Sequence, residues 1–133
     1  MTRNFSGAFL LVGGLLLATV TGFAHHSQSA EFDRNKPIEF TGTVKVIEWT
    51  NPHSYAQIEV KAPDGKVAVY RVECQAPNQL YRAGWRRDSL KPGTVVTFKG
   101  SRSRAANSMN VSGQMTMPDG KVAFQGPGPF GTK

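Results

Sequence analysis

Hydrophobic and polar residues alternate along five stretches of the chain, a pattern typical of β-strands with one buried face. The stretches are Ile38–Trp49, Ser54–Lys61, Lys66–Cys74, Thr94–Gly100 and Met109–Met117, and a short run, Val122–Phe124, follows. In the first, the apolar parity changes after Val46, and Gly42 interrupts the run, which together predict a β-bulge. Pro63-Asp64-Gly65 predicts the turn of a hairpin between the second and third strands.

One short helix is predicted between the third and fourth strands. Pro77 suits the first turn of a helix, and Gly84 suits the position just past its end, so the helix covers Pro77–Ala83. Three strands, a helix and two strands is the order of the five-stranded OB barrel. The predicted fold class is therefore all-β with one short helix, a small five-stranded OB-like barrel. An open β-sandwich or roll is the alternative.

Residues 1–24 are predicted to be a signal peptide rather than part of the fold. Arg3 precedes an apolar run from Ala8 to Val20, and small residues Gly22 and Ala24 occupy the −3 and −1 positions before a cleavage site. The run is short for a membrane span. The other predicted segments are an N-terminal arm at 25–37 with Phe32 as its anchor, the barrel at 38–125, a loop at 101–108 and a disordered tail at 126–133.

Charge and cysteine content narrow the function classes. The 133 residues include 16 Lys and Arg against 9 Asp and Glu, and Arg3 is the one charged residue that cleavage would remove. A periplasmic or secreted location argues against nucleic acid, so a cationic surface would meet anionic envelope components or another protein. The single cysteine, Cys74, excludes an intramolecular disulfide. We expect it to be a buried thiol or, alternatively, an intermolecular partner.

The most specific functional prediction is a metal site formed by histidines. Of three histidines, His25 and His26 would begin the processed chain, and His53 lies in the loop before the second strand. A free α-amino group titrates near neutral pH, and with the His25 imidazole it can chelate a metal. A third nitrogen from His53 would complete a set that favours Cu(II), with His26 auxiliary. Alternatively, His25 and His26 are simply a hydrophilic cleavage junction, and His53 is a turn residue.

Two further clusters are candidates. Met115 and Met117 share one strand face, and their thioethers suit Cu(I), although methionine is also an ordinary core residue. Trp49 could shield a metal site or simply pack in the core. A possible ligand or partner surface combines aromatic and guanidinium groups. Its members are Trp49, Tyr81, Arg82, Trp85, Arg86 and Arg87. Trp85 could equally pack on the barrel while the arginines are solvated.

No catalytic motif is present, so the sequence predicts a protein that is not an enzyme. There is no Gly-x-Ser-x-Gly, no phosphate-binding glycine loop and no pair of cysteines. The acidic residues Glu48, Glu59, Glu73 and Asp88 are isolated, and we expect them on solvated strand faces.

The chain resembles a family of small secreted bacterial proteins known only as a domain of unknown function. The matching segments include Ala24-His25-His26-Ser27, Glu48-Trp49-Thr50-Asn51-Pro52-His53, Gly84-Trp85 and Arg87–Gly93. Cys74 and the Arg102–Asn110 stretch depart from the family pattern. The resemblance implies export and a small β domain but no activity. A second similarity, to periplasmic OB-barrel copper chaperones that use His, Met and Trp, extends to residue types alone.

These observations predict an exported, non-catalytic binding module. Copper is the sharpest candidate ligand, and no other cofactor is indicated. The alternatives are a module that binds a partner protein or an anionic envelope component through the arginines and aromatic residues, and a purely structural envelope protein.

Overall fold

A computed structural model of the chain describes residues 28–124. The elements are α1 (Gln28–Glu31), β1 (Phe32–Glu48), β2 (Tyr55–Lys61), β3 (Val67–Glu73), α2 (Pro77–Arg82), β4 (Val95–Ser103), β5 (Asn110–Thr116) and β6 (Val122–Ala123). Neither helix in this part of the chain is long and apolar enough to cross a membrane.

Five strands form a closed ring, which confirms the predicted OB-like arrangement. The long strand β1 pairs antiparallel with both β2 and β4, β2 pairs with β3, and β4 pairs with β5. Parallel pairing of β3 with β5 closes the ring, and it covers only Arg71–Glu73 against Asn110–Ser112. The short strand β6 extends the sheet from β5. Because every ring strand has two neighbours, this arrangement covers most strand edges.

Strand β1 differs from its prediction at both its start and its bulge. It begins at Phe32 and not at Ile38, because Phe32 and Asp33 already pair with the end of β4 before a break in register. The predicted bulge exists, but it lies between Val44 and Val46 rather than at Gly42. Gly42 has a different role, since a Cβ there would lie 2.6 Å from the backbone oxygen of Glu59 on β2.

The end of β4 also lies further along the chain than predicted. The alternating pattern fades after Gly100, but β4 pairs with β5 through Arg102 and with β1 through Ser103. The polar segment that follows begins at Arg104, so the predicted loop at 101–108 is shortened by three residues. Polar residues form backbone hydrogen bonds as well as apolar residues do, so β4 continues past the point where the alternation of its side chains ends.

The hairpin and the helix lie where they are predicted. Strands β2 and β3 pair from Tyr55–Glu73 to Lys61–Val67 across the Pro63–Gly65 turn. Helix α2 starts at Pro77, and the Gln79 side chain accepts a hydrogen bond from the Ala76 backbone at 3.2 Å in place of a capping side chain at Ala76. Leu80 anchors α2 in the core. A four-residue helix, α1, precedes β1 and was not predicted.

The core fills the interior of the ring with one or two residues from every strand and one from α2. Its largest fully buried side chains are Trp85, Phe98, Phe124, Ile58, Leu80, Leu90 and Met115. Trp85 and Phe124 pack edge to face with ring centroids 5.1 Å apart, a geometry that aromatic rings favour. Phe124 thus joins the segment after β6 to the aromatic part of the core.

Candidate functional site

The candidate site begins with His53, which the loop between β1 and β2 holds at the end of the ring. The Thr50 hydroxyl donates a 3.0 Å hydrogen bond to the backbone oxygen of His53. Nδ1 of His53 lies 2.5 Å from Oε1 of Glu73. The imidazole remains 44% exposed, whereas the Glu73 side chain is 3% exposed. Because Nδ1 is engaged by the buried carboxylate, Nε2 is the ring nitrogen that remains to bind a ligand.

Glu73 is the residue that the sequence analysis placed wrongly. Alternation along β3 puts Val72 in the core and predicts Glu73 on a solvated face, but Glu73 is buried. The reason is its position as the last residue of β3, paired on one side with Tyr55 of β2 and on the other with Ser112 of β5. No spacing in the sequence signals this burial, which arises from closure of the ring.

The environment of Glu73 opposes its negative charge. Burial is the main cause that raises the pKa of Glu73; His53 lowers it, and the negative charge of Glu31 raises it. Among the described residues, none donates a hydrogen bond to Oε2 of Glu73. Glu73 is thus a buried carboxylate with one of its two oxygens engaged.

A cavity of about 470 Å³ lies beside the His53–Glu73 pair. It forms where β3 ends and β5 continues, because the two strands separate after their short parallel contact. The lining comes from the end of β3, from β5, from α2 and from the β6 end. The lining residues are His53, Val72, Glu73, Cys74, Gln75, Gln79, Ser112, Gly113, Met115, Ala123 and Phe124. The volume lies in the range of small-molecule sites.

Cys74 faces this cavity as a protonated thiol. Burial raises the pKa of Cys74 to about 12, and Sγ donates a weak 3.6 Å hydrogen bond to the Val72 carbonyl. A metal ligand or nucleophile must be the thiolate. Cys74 therefore contributes an apolar wall at neutral pH.

The predicted Cu(I) residues are part of the core or packed against it. Met115 is 1% exposed and contacts the cavity from inside, and Met117 is partly buried against the core. Trp49 packs edge-on against Phe124 with centroids 6.0 Å apart. The structure brings Met115 and His53 to one cavity, but Met117 and Trp49 do not line it.

The predicted aromatic and arginine surface separates into a buried and an exposed part. Trp85 is 1% exposed, so its ring does not reach the surface. Tyr81 is 61% exposed, and the Arg86 guanidinium lies 3.9 Å from its ring centroid. Arg86 also donates to the backbone oxygens of Trp85 and Tyr81, at 2.7 and 3.2 Å. Arg86 thus holds the end of α2, while Arg82 and Arg87 are exposed.

The structure does not describe the remaining predicted metal ligands. His25 and His26, together with the signal peptide at 1–24 and the tail at 126–133, lie outside the described residues. Within residues 28–124, no three His, Cys, Asp or Glu side chains are grouped so that they could hold a metal ion by themselves.

Comparison with known proteins gives a family but no function. Neither the curated proteins nor the solved structures gave a match to this chain. The sequence model of a family of unknown function, DUF6152, matches residues 14–112, which is most of the chain. It covers β1 to β4, the His53 loop and most of the cavity lining. The chain therefore belongs to the family of unknown function DUF6152.

Proposed function

We propose that the protein is an exported, non-catalytic module that binds Cu(II) through His53 and the N-terminal His25 of the processed chain. The observation that carries the proposal is the His53–Glu73 pair. Histidines that ligate metals usually donate their second ring N–H to a carboxylate or carbonyl, which fixes the tautomer and increases the basicity of the ligating nitrogen. Glu73 is in position to do this at 2.5 Å, and the imidazole as a whole is half exposed.

The position of α1 supports a contribution from the N-terminus. Phe32, which follows α1, pairs with Ser103 near the end of β4. Ser101 of β4 pairs with Ser112, the β5 partner of Glu73, so the chain enters β1 on the part of the ring that carries Glu73. His25 is three residues before Gln28, and three extended residues span up to about 10 Å. If cleavage follows Ala24, the α-amino group and imidazole of His25 would add two nitrogens to that of His53, and His26 is an auxiliary ligand. Such a nitrogen set suits Cu(II) better than other divalent ions.

Copper titration of the processed protein, followed by electron paramagnetic resonance, tests the role of His53. The decisive variant is His53→Asn, because the asparagine amide can still donate to Glu73 but offers no imidazole nitrogen. We expect His53→Asn to lose one coupled nitrogen and to bind Cu(II) more weakly, with a smaller effect for the control His26→Ala. Unchanged nitrogen coupling in His53→Asn would rule out His53 as a ligand.

A second candidate function is adhesion to an anionic envelope component or partner protein. The exposed Tyr81 ring, stacked with Arg86 and flanked by Arg82 and Arg87, supports it. Since Arg86 holds the end of α2, the variant that tests the surface is Arg82→Glu with Arg87→Glu. We expect it to reduce binding to anionic vesicles, an effect that salt should also produce. Equal vesicle binding by native protein and variant would remove this candidate.

A further inference from the structure

Strand β3 has one edge that is only partly covered by another strand. Its pairing with β2 runs along the whole strand, from Val67 to Glu73, but on the other side β5 pairs only with Arg71–Glu73. Within residues 28–124, no strand therefore lies beside Val67–Tyr70 on that side. We call this segment the free edge of β3.

The hydrogen bonds around β3 show which backbone groups point out from the free edge. Backbone groups alternate in direction along a strand. The Lys66 carbonyl accepts a 2.8 Å hydrogen bond from the residue that follows β2, so the even-numbered residues direct their backbone groups toward β2. The Arg71 N–H instead donates to the Met109 carbonyl at 3.0 Å, so the odd-numbered residues point away from β2. Val67 and Val69 thus direct their N–H and C=O groups out from the free edge.

Exposed apolar side chains are concentrated at the same edge. Val67 is 54% exposed, Val69 is 41% exposed, and Met109, which contacts Arg71 beside the edge, is also exposed. They are three of the six large hydrophobic residues that are exposed in the described part of the chain. Sheet edges in native proteins are commonly protected by proline, by charged residues or by a bulge. Val67–Tyr70 has no such residue, and its register with β2 is regular, so we infer that another strand covers this edge.

A second copy of the free edge satisfies its hydrogen bonds completely. When two copies pair antiparallel about a two-fold axis at Ala68, Val67 of each copy lies opposite Val69 of the other. Every outward N–H then meets an outward C=O. A two-fold axis one residue earlier or later would place Gly65 or Arg71 opposite a valine, and the N–H groups of both are already bonded within the chain. The edge is therefore self-complementary in one register.

The side chains are compatible with that register. Apolar β-branched residues that lie directly opposite each other stabilise a sheet. Lys66 of one copy lies opposite Tyr70 of the other, and the turn that carries Asp64 approaches the end that carries Arg71. No two charges of the same sign are therefore directly opposite each other. The few exposed apolar side chains bury well below the about 1,200 Å² of a standard interface, so we expect a weak dimer in exchange with the monomer.

We propose that the protein forms a two-fold dimer in which the free edges of β3 from two copies pair antiparallel, with Val67 of each copy opposite Val69 of the other. The pairing joins the sheets of the two copies into one continuous sheet. It goes beyond the copper proposal, because it requires neither the N-terminal histidines nor a metal ion. It also uses the start of β3, whereas Glu73 and its contact with His53 lie at the end of that strand.

The first test is sedimentation velocity of the metal-free processed protein at concentrations up to about 1 mM. We expect the dimer fraction to rise with concentration. Val69→Lys places a charge at the paired edge, and Val95→Lys is the matched control, because Val95 is equally exposed but lies on β4. We expect association to be at least about tenfold weaker in Val69→Lys and unchanged in Val95→Lys. A native protein that stays monomeric, or equal association of the two variants, would overturn the proposal.

The second test examines the register with the substitution Ala68→Cys. Residues of a non-hydrogen-bonded antiparallel pair have Cα atoms about 4.5 Å apart, which is within disulfide range. Under mild oxidation we expect a covalent dimer from Ala68→Cys. The native protein controls for Cys74, Val95→Cys controls for random collisions, and both should give much less covalent dimer. Association of Ala68→Cys without this cross-link would show that another surface pairs, and would contradict the proposal.

Amide hydrogen exchange separates a second copy from other coverings of the edge. We expect the Val67 and Val69 amides to exchange rapidly in the dilute monomer and to become protected as the dimer forms. Protection in the dilute monomer would mean that another segment of the same chain covers the edge. An absence of protection at every concentration would leave the edge to a strand of a different protein, and either result overturns the proposal. Because these samples contain no metal, their outcome is independent of the copper experiment.

Discussion

At the scale of single residues, the unusual feature is a buried glutamate whose described hydrogen-bond partner is a half-exposed histidine. An uncharged residue of good strand propensity at position 73 would also end β3. A buried carboxylate there costs free energy unless it is paired. His53 offsets part of that cost through its Nδ1 contact. The pair therefore links the loop before β2 to the end of β3.

This pairing predicts unequal effects of two substitutions at His53. His53→Ala leaves Glu73 buried without a donor, so we expect it to lower the free energy of unfolding by about 1–3 kcal/mol. His53→Asn, which retains an N–H donor, should cost less. Urea denaturation of both variants measures the difference, with Thr50→Ala as a control in the same loop. Equal stability of His53→Ala and the native protein would mean that the contact contributes nothing.

Only one member of the pair, His53, could be predicted as a site residue from the sequence. His53 could be predicted because histidines are few in this chain and this one follows a proline in a loop. Glu73 could not, because alternation along β3 assigns it to the outer face. Its burial depends on β2 and β5 flanking the same residue, and that arrangement is a property of ring closure.

At the scale of elements, the first three strands are tied together by a polar cluster as well as by backbone pairing. Glu48 at the end of β1 accepts hydrogen bonds from Arg71 of β3, the shortest at 2.6 Å, and from Gln57 of β2 at 2.7 Å. The Arg71 guanidinium also lies 3.4 Å from the Tyr55 ring centroid. The hydrogen bond from Arg71 is the main cause that lowers the pKa of Glu48 below 4.5.

The lowered pKa predicts a pH dependence of stability. A carboxylate whose pKa is lower in the folded state stabilises the fold above its unfolded pKa, and this contribution is lost as the pH falls through the folded value. Glu48→Gln should therefore reduce the free energy of unfolding at neutral pH, by less than about 1 kcal/mol because the pair is partly exposed. At a pH below the folded pKa of Glu48, the loss should disappear.

Urea denaturation of Glu48→Gln and native protein at the two pH values provides the measurement. Glu39→Gln serves as the control, since Glu39 and Lys99 are exposed and 3.8 Å apart. A loss of the same size at both pH values would show that packing rather than charge accounts for the effect of Glu48.

The bounds of the strands show where periodicity is informative and where it is not. The hairpin and α2 follow from turn residues, and the change of apolar parity indicates that β1 has a bulge, although not its position. The start of β1 at Phe32 does not, because the stretch from Asp33 to Pro37 is polar and contains a break in register. Asp33 and Pro37, on either side of the break, pair with β4, and the alternation of side chains gives no sign of this pairing.

At the scale of the whole molecule, the order of the elements determined the architecture. The order of three strands, a helix and two strands predicts a ring in which the first strand pairs on both sides. In the structure, β1 pairs with both β2 and β4. The position of the cavity follows from the same topology, since the contact between β3 and β5 is short and leaves a gap beside Glu73. The sequence could not predict that gap, because no local pattern encodes where two distant strands separate.

In the proposed copper site, the metal ion links the N-terminus of the processed chain to the ring. The most direct test of this claim compares protein that starts at His25 with the same protein carrying one additional glycine before His25. The glycine removes the chelate formed by the α-amino group and imidazole of His25 but leaves His53 and Glu73 unchanged. We predict that Cu(II) affinity, measured by competition with a chelator, falls sharply and that the nitrogen coupling changes. Equal Cu(II) affinity of the two proteins would contradict the claim.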